Sequence, residues 1–215
     1  RCLVVYIEVA VSNMMLEDSV VGKLVNHMWQ MSPEEILEFV RTNGLGISDV
    51  KTLENMEDAM AAMLAGNAGF FFDGYTKAVK ISSKGYPNLS VSEPSREKVL
   101  RGSKESFTDS VKTNSALVRK RIRDTRLKVK EKTLGSRSRT LVQLLYMEDL
   151  VRPGILEAIE SHLDSFVIDG VLDSGVLEQM TEKSWLSPFP QFQTTERPDK
   201  CSAEILNGRV GVLTD

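Results

Sequence analysis

Residues 54–73 read ENMEDAMAAMLAGNAGFFFD, and residues 196–215, 142 positions later, read ERPDKCSAEILNGRVGVLTD. Laid over one another without a gap, they share Glu54/Glu196, Ala61/Ala203, Leu64/Leu206, Gly66/Gly208, Gly69/Gly211 and Asp73/Asp215. Each reads as a helix closed by Gly, a tight turn and a short apolar strand, since Gly enters the left-handed region without a Cβ penalty. Val5-Tyr6-Ile7-Glu8 ends a β-rich run. Leu145-Tyr146-Met147-Glu148 ends another 140 positions on, and an amphipathic helical stretch follows each. Self-similarity at a near-constant offset marks a repeated unit. The chain therefore reads as α/β, with two small related α/β subdomains at 1–95 and 128–215 joined by a basic helical linker over 96–127.

Local signals fill in the two halves. Ser32-Pro33-Glu34-Glu35 gives an N-cap, Pro at the first helical position and acids in the first turn, and Ile36, Phe39 and Val40 then share a face, which predicts a helix over 33–42. Met56, Met60 and Met63 recur at i, i+4 and i+7 and are read as core packing. Phe70-Phe71-Phe72, then Asp73-Gly74, then alternation over 78–81 predict a hairpin with a two-residue turn. Leu141 to Tyr146 predicts a strand, and Ile155, Ile159, Leu163 and Phe166 a helix stripe after Pro153-Gly154. The chain stops at Asp215, aligned with Asp73, so the second hairpin is expected to lack its turn and return strand and to present an open edge.

Composition bounds the function. The 215 residues are 41% hydrophobic and 27% charged, with 27 basic and 30 acidic side chains, which excludes disordered, collagenous and disulfide-scaffold classes. Cys2 and Cys201 read as small apolar residues, with no metal-ligand spacing around them. The longest apolar run, 59–72, is broken by Gly66, Asn67 and Gly69 and falls short of the roughly 18–20 residues that span a bilayer. The start lacks signal-peptide order and Met, which reads as a piece of something longer.

Charge is distributed in three blocks. Residues 1–95 carry 7 basic and 12 acidic groups, residues 96–139 carry 15 and 5, and residues 140–215 carry 5 and 13. A basic centre serves either an anionic partner or the neutralisation of acidic neighbours. Within it, 108–122 reads as a helix with Phe107, Val111, Val118 and Ile122 close to one face, and Arg126-Leu127-Lys128-Val129-Lys130 as a strand with one cationic face. Phe107 is its only aromatic residue, so the stacking platforms of nucleic-acid binders are missing.

No phosphate loop, dinucleotide fingerprint, zincin helix or nucleophile elbow occurs. His27 and His162 lie in helical stretches and make poor candidates for a general base. Asp169-Gly170-Val171-Leu172-Asp173-Ser174-Gly175 lacks the ligand alternation and closing Glu of a calcium loop and reads as a turn. The sequence thus points away from an enzyme, with no catalytic residue, metal or cofactor assigned.

One stretch is specific. Glu93-Pro94-x-x-Glu97-Lys98-Val99-x-Arg101-Gly102-Ser103-Lys104-Glu105-Ser106-Phe107-Thr108-Asp109 runs on into Thr113-Asn114-x-Ala116-Leu117-Val118-Arg119-Lys120-Arg121-Ile122-Arg123. It resembles the signature of the GerA-type spore germination receptor A subunits. Phe72-Asp73-Gly74, Tyr146-Met147-Glu148, Asp169 to Gly175, Ser187-Pro188-Phe189-Pro190-Gln191 and Thr195-Glu196-Arg197-Pro198-Asp199 carry the resemblance over nearly the whole chain. It implies the soluble N-terminal region of a non-enzymatic receptor subunit in the spore inner membrane, two α/β units with a likeness to solute-binding proteins, followed by several membrane-spanning helices. Implied partners are the B and C subunits, further A subunits, and a small-molecule nutrient germinant, with no nucleic acid. A paralogous spore-membrane protein with the same domain, or a freestanding small-molecule-binding module, are the alternatives.

The motif residues carried over are Arg101, Gly102, Glu105, Phe107, Thr108, Asn114, Arg119, Arg121, Glu196, Arg197 and Pro198. They are expected either to form a ligand, inter-lobe or subunit contact or to cap helices and fix turns. Ser103 and Ser106 stand where Pro and Gly are common in the family, and Lys104 where Arg is common. The Lys removes a bidentate clamp on a carboxylate.

Overall fold

The computed structural model describes residues 2–28, 31–42, 46, 49–86, 93–165, 167–182 and 190–215. It has two compact units, Arg1–Tyr86 and Pro87–Asp215.

In the first unit, strand β1 (Cys2–Val5) leads through a 3-10 turn at Glu8–Ala10 into helix α1 (Asn13–Leu16), a π-turn at Glu17–Val21 and α2 (Gly22–Met28). Then come α3 (Pro33–Arg41), β2 (Val50–Leu53), α4 (Met56–Leu64), β3 (Ala68–Phe72) and β4 (Ala78–Ile81). The strands form an antiparallel sheet in the order β1-β3-β4-β2. One face packs Phe70, Phe72, Val79 and Ile81 against Leu16, Val20, Leu24, Ile36 and Val40. On the other, Leu53 and Ala78 meet Ala59 of α4. The α3 start is the reciprocal cap read from sequence: the Glu35 N–H donates to Ser32 Oγ at 3.3 Å, and the Ser32 N–H to Glu35 Oε2 at 2.7 Å.

Two details differ from the sequence reading. The β3–β4 loop spans residues 73–77. Phe72 C=O accepts the Tyr75 N–H, and only Gly74 has positive φ, which makes a type II turn with two residues added and not a two-residue primed turn. Of the three methionines on α4 only Met63 is buried; Met56 and Met60 are exposed.

The second unit contains α5 (Val111–Arg121), β5 (Leu127–Leu134), β6 (Thr140–Met147), α6 (Ile155–Ser165), α7 (Ser174–Thr181), α8 (Pro198–Leu206) and β7 (Gly211–Thr214). Its antiparallel sheet, β5-β6-β7, is covered on both faces. Val111, Val118 and Ile122 of the α5 region pack with Leu127, Leu145, Met147, Ile205 and Leu213. The opposite face packs Leu134, Val142 and Leu144 against Leu163 of α6 and Leu177 of α7. Phe166, the last residue of the expected α6 stripe, lies outside the described residues. Asp169–Gly175 is a turn whose Asp173 caps α7, with Oδ1 accepting the Val176 N–H at 2.8 Å.

The division into compact units falls between residues 86 and 87, whereas the charge and repeat pattern of the sequence divides the chain after 95 and 127. The basic helix α5 belongs to the second unit because its apolar stripe supplies one wall of that core. Six residues of α5 are buried, among them Val111, Leu117 and Val118.

The repeat holds at the level of register. Cys2 pairs with Phe72 and Val5 with Gly69; 140 and 142 positions on, Val142 pairs with Thr214 and Leu145 with Gly211. Helix α4 maps residue for residue onto α8. Both helices close in the same way. The Gly66 and Gly208 N–H groups donate to Met63 and Ile205 carbonyls at 2.9 and 3.0 Å, and the next N–H reaches back to Ala62 or Glu204. Gly66 and Gly208 have φ of +87° and +81°. A Cβ would stand 2.7 Å from the Ala10 carbonyl oxygen in the first case and 2.3 Å from that of Leu150 in the second, so both positive φ and close approach require Gly.

Candidate functional site: carboxylate clasps of the second unit

Residues 93–110 run without regular secondary structure, and two groups of ionic hydrogen bonds fix them to the rest of the second unit. At the first, the Glu97 carboxylate holds the backbone of Glu196, and the Glu196 carboxylate holds that of the two residues before Glu97. The Glu97 carboxylate accepts the Thr195 hydroxyl, the Glu196 N–H at 3.1 Å and Lys200 Nζ at 2.7 Å. In return, the Glu196 carboxylate accepts the N–H groups of Ser95 at 2.9 Å and Arg96 at 3.1 Å. The Lys200 ammonium, then the Thr195 hydroxyl, hold the Glu97 carboxyl below the usual carboxylate range. For Glu196 the Arg96 N–H is the main cause of a shift in the same direction. The Glu196 carbonyl is also used, accepting the Phe107 N–H at 2.8 Å and the Ser106 hydroxyl at 3.0 Å.

At the second group, Glu105 accepts Lys120 Nζ at 2.7 Å and Arg121 Nη2 at 2.5 Å, both from the last turn of α5. Cations there also suit the helix dipole. Partial burial raises the Glu105 carboxyl, but the two cations outweigh it and the net direction is down. Arg121 also donates to Ser103 Oγ at 2.9 Å and to the Leu117 carbonyl at 2.8 Å. Between the groups, Asn114 Oδ1 accepts the Thr108 N–H and hydroxyl while its Nδ2 donates to the Thr108 carbonyl at 2.7 Å. That ring fixes the entry to α5, whose Val111 N–H donates to Asp215 Oδ1 at 2.7 Å.

The remaining motif residues take separate places. Phe107 packs on the α5 core. Arg119 Nη2 reaches the Leu127 carbonyl at 3.4 Å. Arg197 forks onto Asp199 at 3.1 and 2.5 Å at the start of α8, where Pro198 is buried in the first turn. Arg101 and Gly102 stand apart on an exposed loop. Gly102 has φ +135°, and Arg101 has no hydrogen-bond or ion-pair partner among the described residues.

Residues outside the carried-over motif set complete the arrangement: Ser95, Glu97, Ser106 and Lys200. Glu97 lies in the quoted motif, but nothing in its spacing reveals a partner about a hundred positions away. The two serines that depart from the family pattern each donate or accept a bond here, Ser103 with Arg121 and Ser106 with Glu196. Lys104 meets Glu93 at an exposed 3.2 Å pair. Ser187–Phe189 lie outside the described residues, as does the side chain of His27.

These are intramolecular contacts, in which carboxylates accept from donors of the same chain. The cationic face of β5 is likewise matched, with Lys128 on Glu148, Lys130 on Glu160 and Lys132 on Asp164 at 3.2, 2.6 and 2.7 Å. That favours neutralisation over an anionic partner for this strand. Burial pushes the Cys201 thiol up to about 11 and raises that of Cys2, so neither is a ready nucleophile.

Among the described residues, no helix is long and apolar enough to cross a membrane. The sequence model for Bacillus/Clostridium GerA spore germination proteins matches residues 1–215. The chain is 36% identical to "Uncharacterized membrane protein YfkQ" of Bacillus subtilis (strain 168), over 99% of the chain and 41% of that protein. It is 34% identical to spore germination protein A1 of the same organism, over 78% of the chain and 35% of that protein. It thus spans about two fifths or less of the length of these curated relatives. Among solved structures, it is similar to the N-terminal domain of the A subunit of the Bacillus megaterium spore germinant receptor GerK3, with TM-score 0.73, 26% identity, and coverage of 100% of this chain and 78% of that one.

Proposed function

The chain belongs to the GerA family of spore germination proteins, and from that membership we propose that it is the N-terminal domain of a germinant receptor A subunit, serving germinant sensing, receptor assembly and signal transmission. The observation that carries this reading is the match over all 215 residues together with the likeness to the GerK3 A-subunit domain. The family is one of receptor subunits and not of known enzymes. Its members are spore germination and membrane proteins, which supports a place in the spore membrane, with B and C subunits and further A subunits as partners.

Within this reading the clasped segment 93–110 is a rigid mount. Glu105, Asn114, Arg121 and Glu196 fix it, while Arg101 and Gly102 on its outer loop form the contact with a neighbouring subunit. A domain-level alternative, a paralogous spore-membrane protein, draws support from the YfkQ relationship.

Deletion of the gene in its endospore-forming host tests the assignment. Spores should lose the response to one class of nutrient, regain it with the wild-type gene, and regain it poorly with Arg101→Glu. Unchanged responses across amino acids, sugars and nucleosides contradict the receptor reading. If the isolated domain holds the germinant itself, a hundredfold excess over Kd raises its stability by about 2.7 kcal/mol.

A further inference from the structure

The register identity of the two units allows burial to be compared position by position. On the helix face that meets the sheet, Met63 is 6% exposed and its counterpart Ile205 is 1%, while Ala59 is buried and its counterpart Cys201 half-buried. Beside that face they diverge. Leu3 is 61% exposed and its counterpart Gln143 is 3%; Val5 is 36% and Leu145 is 0%. Met60 is 37% exposed and Ser202 is 4%; Met56 is 62% exposed and Pro198 is buried. In the second unit α5 packs on this surface, in contact with β6, β7 and α8. The first unit has the same strands and the same helix, with more apolar side chains, and among the described residues no counterpart of α5 lies on them.

We infer that β1 and α4 form a helix seat, and that its occupant is an amphipathic helix of the same polypeptide placed ahead of β1, as α5 is placed ahead of β6. Three observations select this occupant. The seat is apolar along one strip, Leu3, Val5, Met56 and Met60, which suits the i, i+7, i+11 stripe that Val111, Val118 and Ile122 present in the second unit. The duplicated unit places its covering helix immediately upstream, followed by the strand β5 that pairs with β6, and the outer edge of β1 is open to such a strand. The relatives also have the length to supply it, since this chain spans 41% of one and 78% of the solved domain. Leaving an apolar strip of this kind in water is unfavourable in proportion to its exposed area, which drives its cover.

Thiol labelling of the full-length protein tests the seat, with Cys2 and Cys201 replaced by Ser. Met60→Cys reports on the seat. Ala61→Cys is the control, because Ala61 and its counterpart Ala203 are both exposed. Full-length protein should label at Met60→Cys at least tenfold more slowly than the 215-residue chain, with Ala61→Cys labelling alike in both. Equal labelling at Met60→Cys overturns the inference. So does protection in the 215-residue chain that grows with protein concentration, since a second copy would then be the occupant. The readout is independent of germination, so it stands or falls apart from the receptor assignment.

Discussion

The two units share strand register, helix bounds and glycine closures, yet they solve one problem differently. The second covers its repeat with α5 and ties the segment leading to α5 down with ionic bonds from Glu97, Glu105 and Glu196. The first leaves the equivalent surface open, and its Lys77–Glu54 and Lys80–Asp49 ion pairs lie within the sheet and its adjoining loops. The pattern that defines the fold is therefore the repeat, while the signature stretch 93–123 supplies what the repeat lacks. A family-specific stretch need not be a binding site to matter, because here it is a structural wall with one exposed loop.

Equivalent substitutions test that difference most sharply. Leu145→Ala empties a fully buried position under α5 and should cost about 2–5 kcal/mol in urea unfolding of the 215-residue chain. Val5→Ala, at the matching but open position, should cost less than about 1 kcal/mol. Equal costs would mean that the two positions are equally covered.

Next in size are the closures. Gly208→Ala combines positive φ with a Cβ 2.3 Å from a carbonyl oxygen and should cost about 2–3 kcal/mol. Gly66→Ala, where the approach is 2.7 Å, should cost somewhat less. Glu105→Gln should follow at about 1–2 kcal/mol, between the exposed and buried regimes, because it removes the carboxylate charge that Lys120 and Arg121 share at partly covered positions.

The smallest effect is in acid. Glu97, Glu105 and Glu196 all have carboxyls held below their unfolded range, so their contribution is complete above that range and is lost as pH falls toward the folded values. Thermal unfolding of the second unit should weaken between about pH 5 and pH 3, and the double variant Glu97→Gln, Glu196→Gln should show a flatter slope. An unchanged slope in that variant contradicts the clasp.

Much of the fold was legible in the sequence. The Ser32 cap, the Gly66 and Gly208 closures, the β6 strand and the repeat follow from local rules that packing did not override. The destination of α5 was not. Its stripe of Val111, Val118 and Ile122 says that the helix packs, but periodicity cannot say on which sheet. For the same reason Met56, Met60 and Met63 read as one core stripe, although only Met63 faces the sheet. The site was legible as a list and not as pairs. Glu97 and Glu196 join segments about a hundred residues apart, and the Ser103 and Ser106 departures gain their meaning only from Arg121 and Glu196 in space.

Native-state hydrogen exchange of the α5 amides shows whether α5 and β6 open as one unit. If the basic helix is a wall of the second unit, the amides of Ser115 to Ile122 should exchange only with global unfolding of that unit, at the same free energy as the β6 amides Val142 to Leu145. Exchange at a rate close to that of an exposed helix, with β6 still protected, would contradict it.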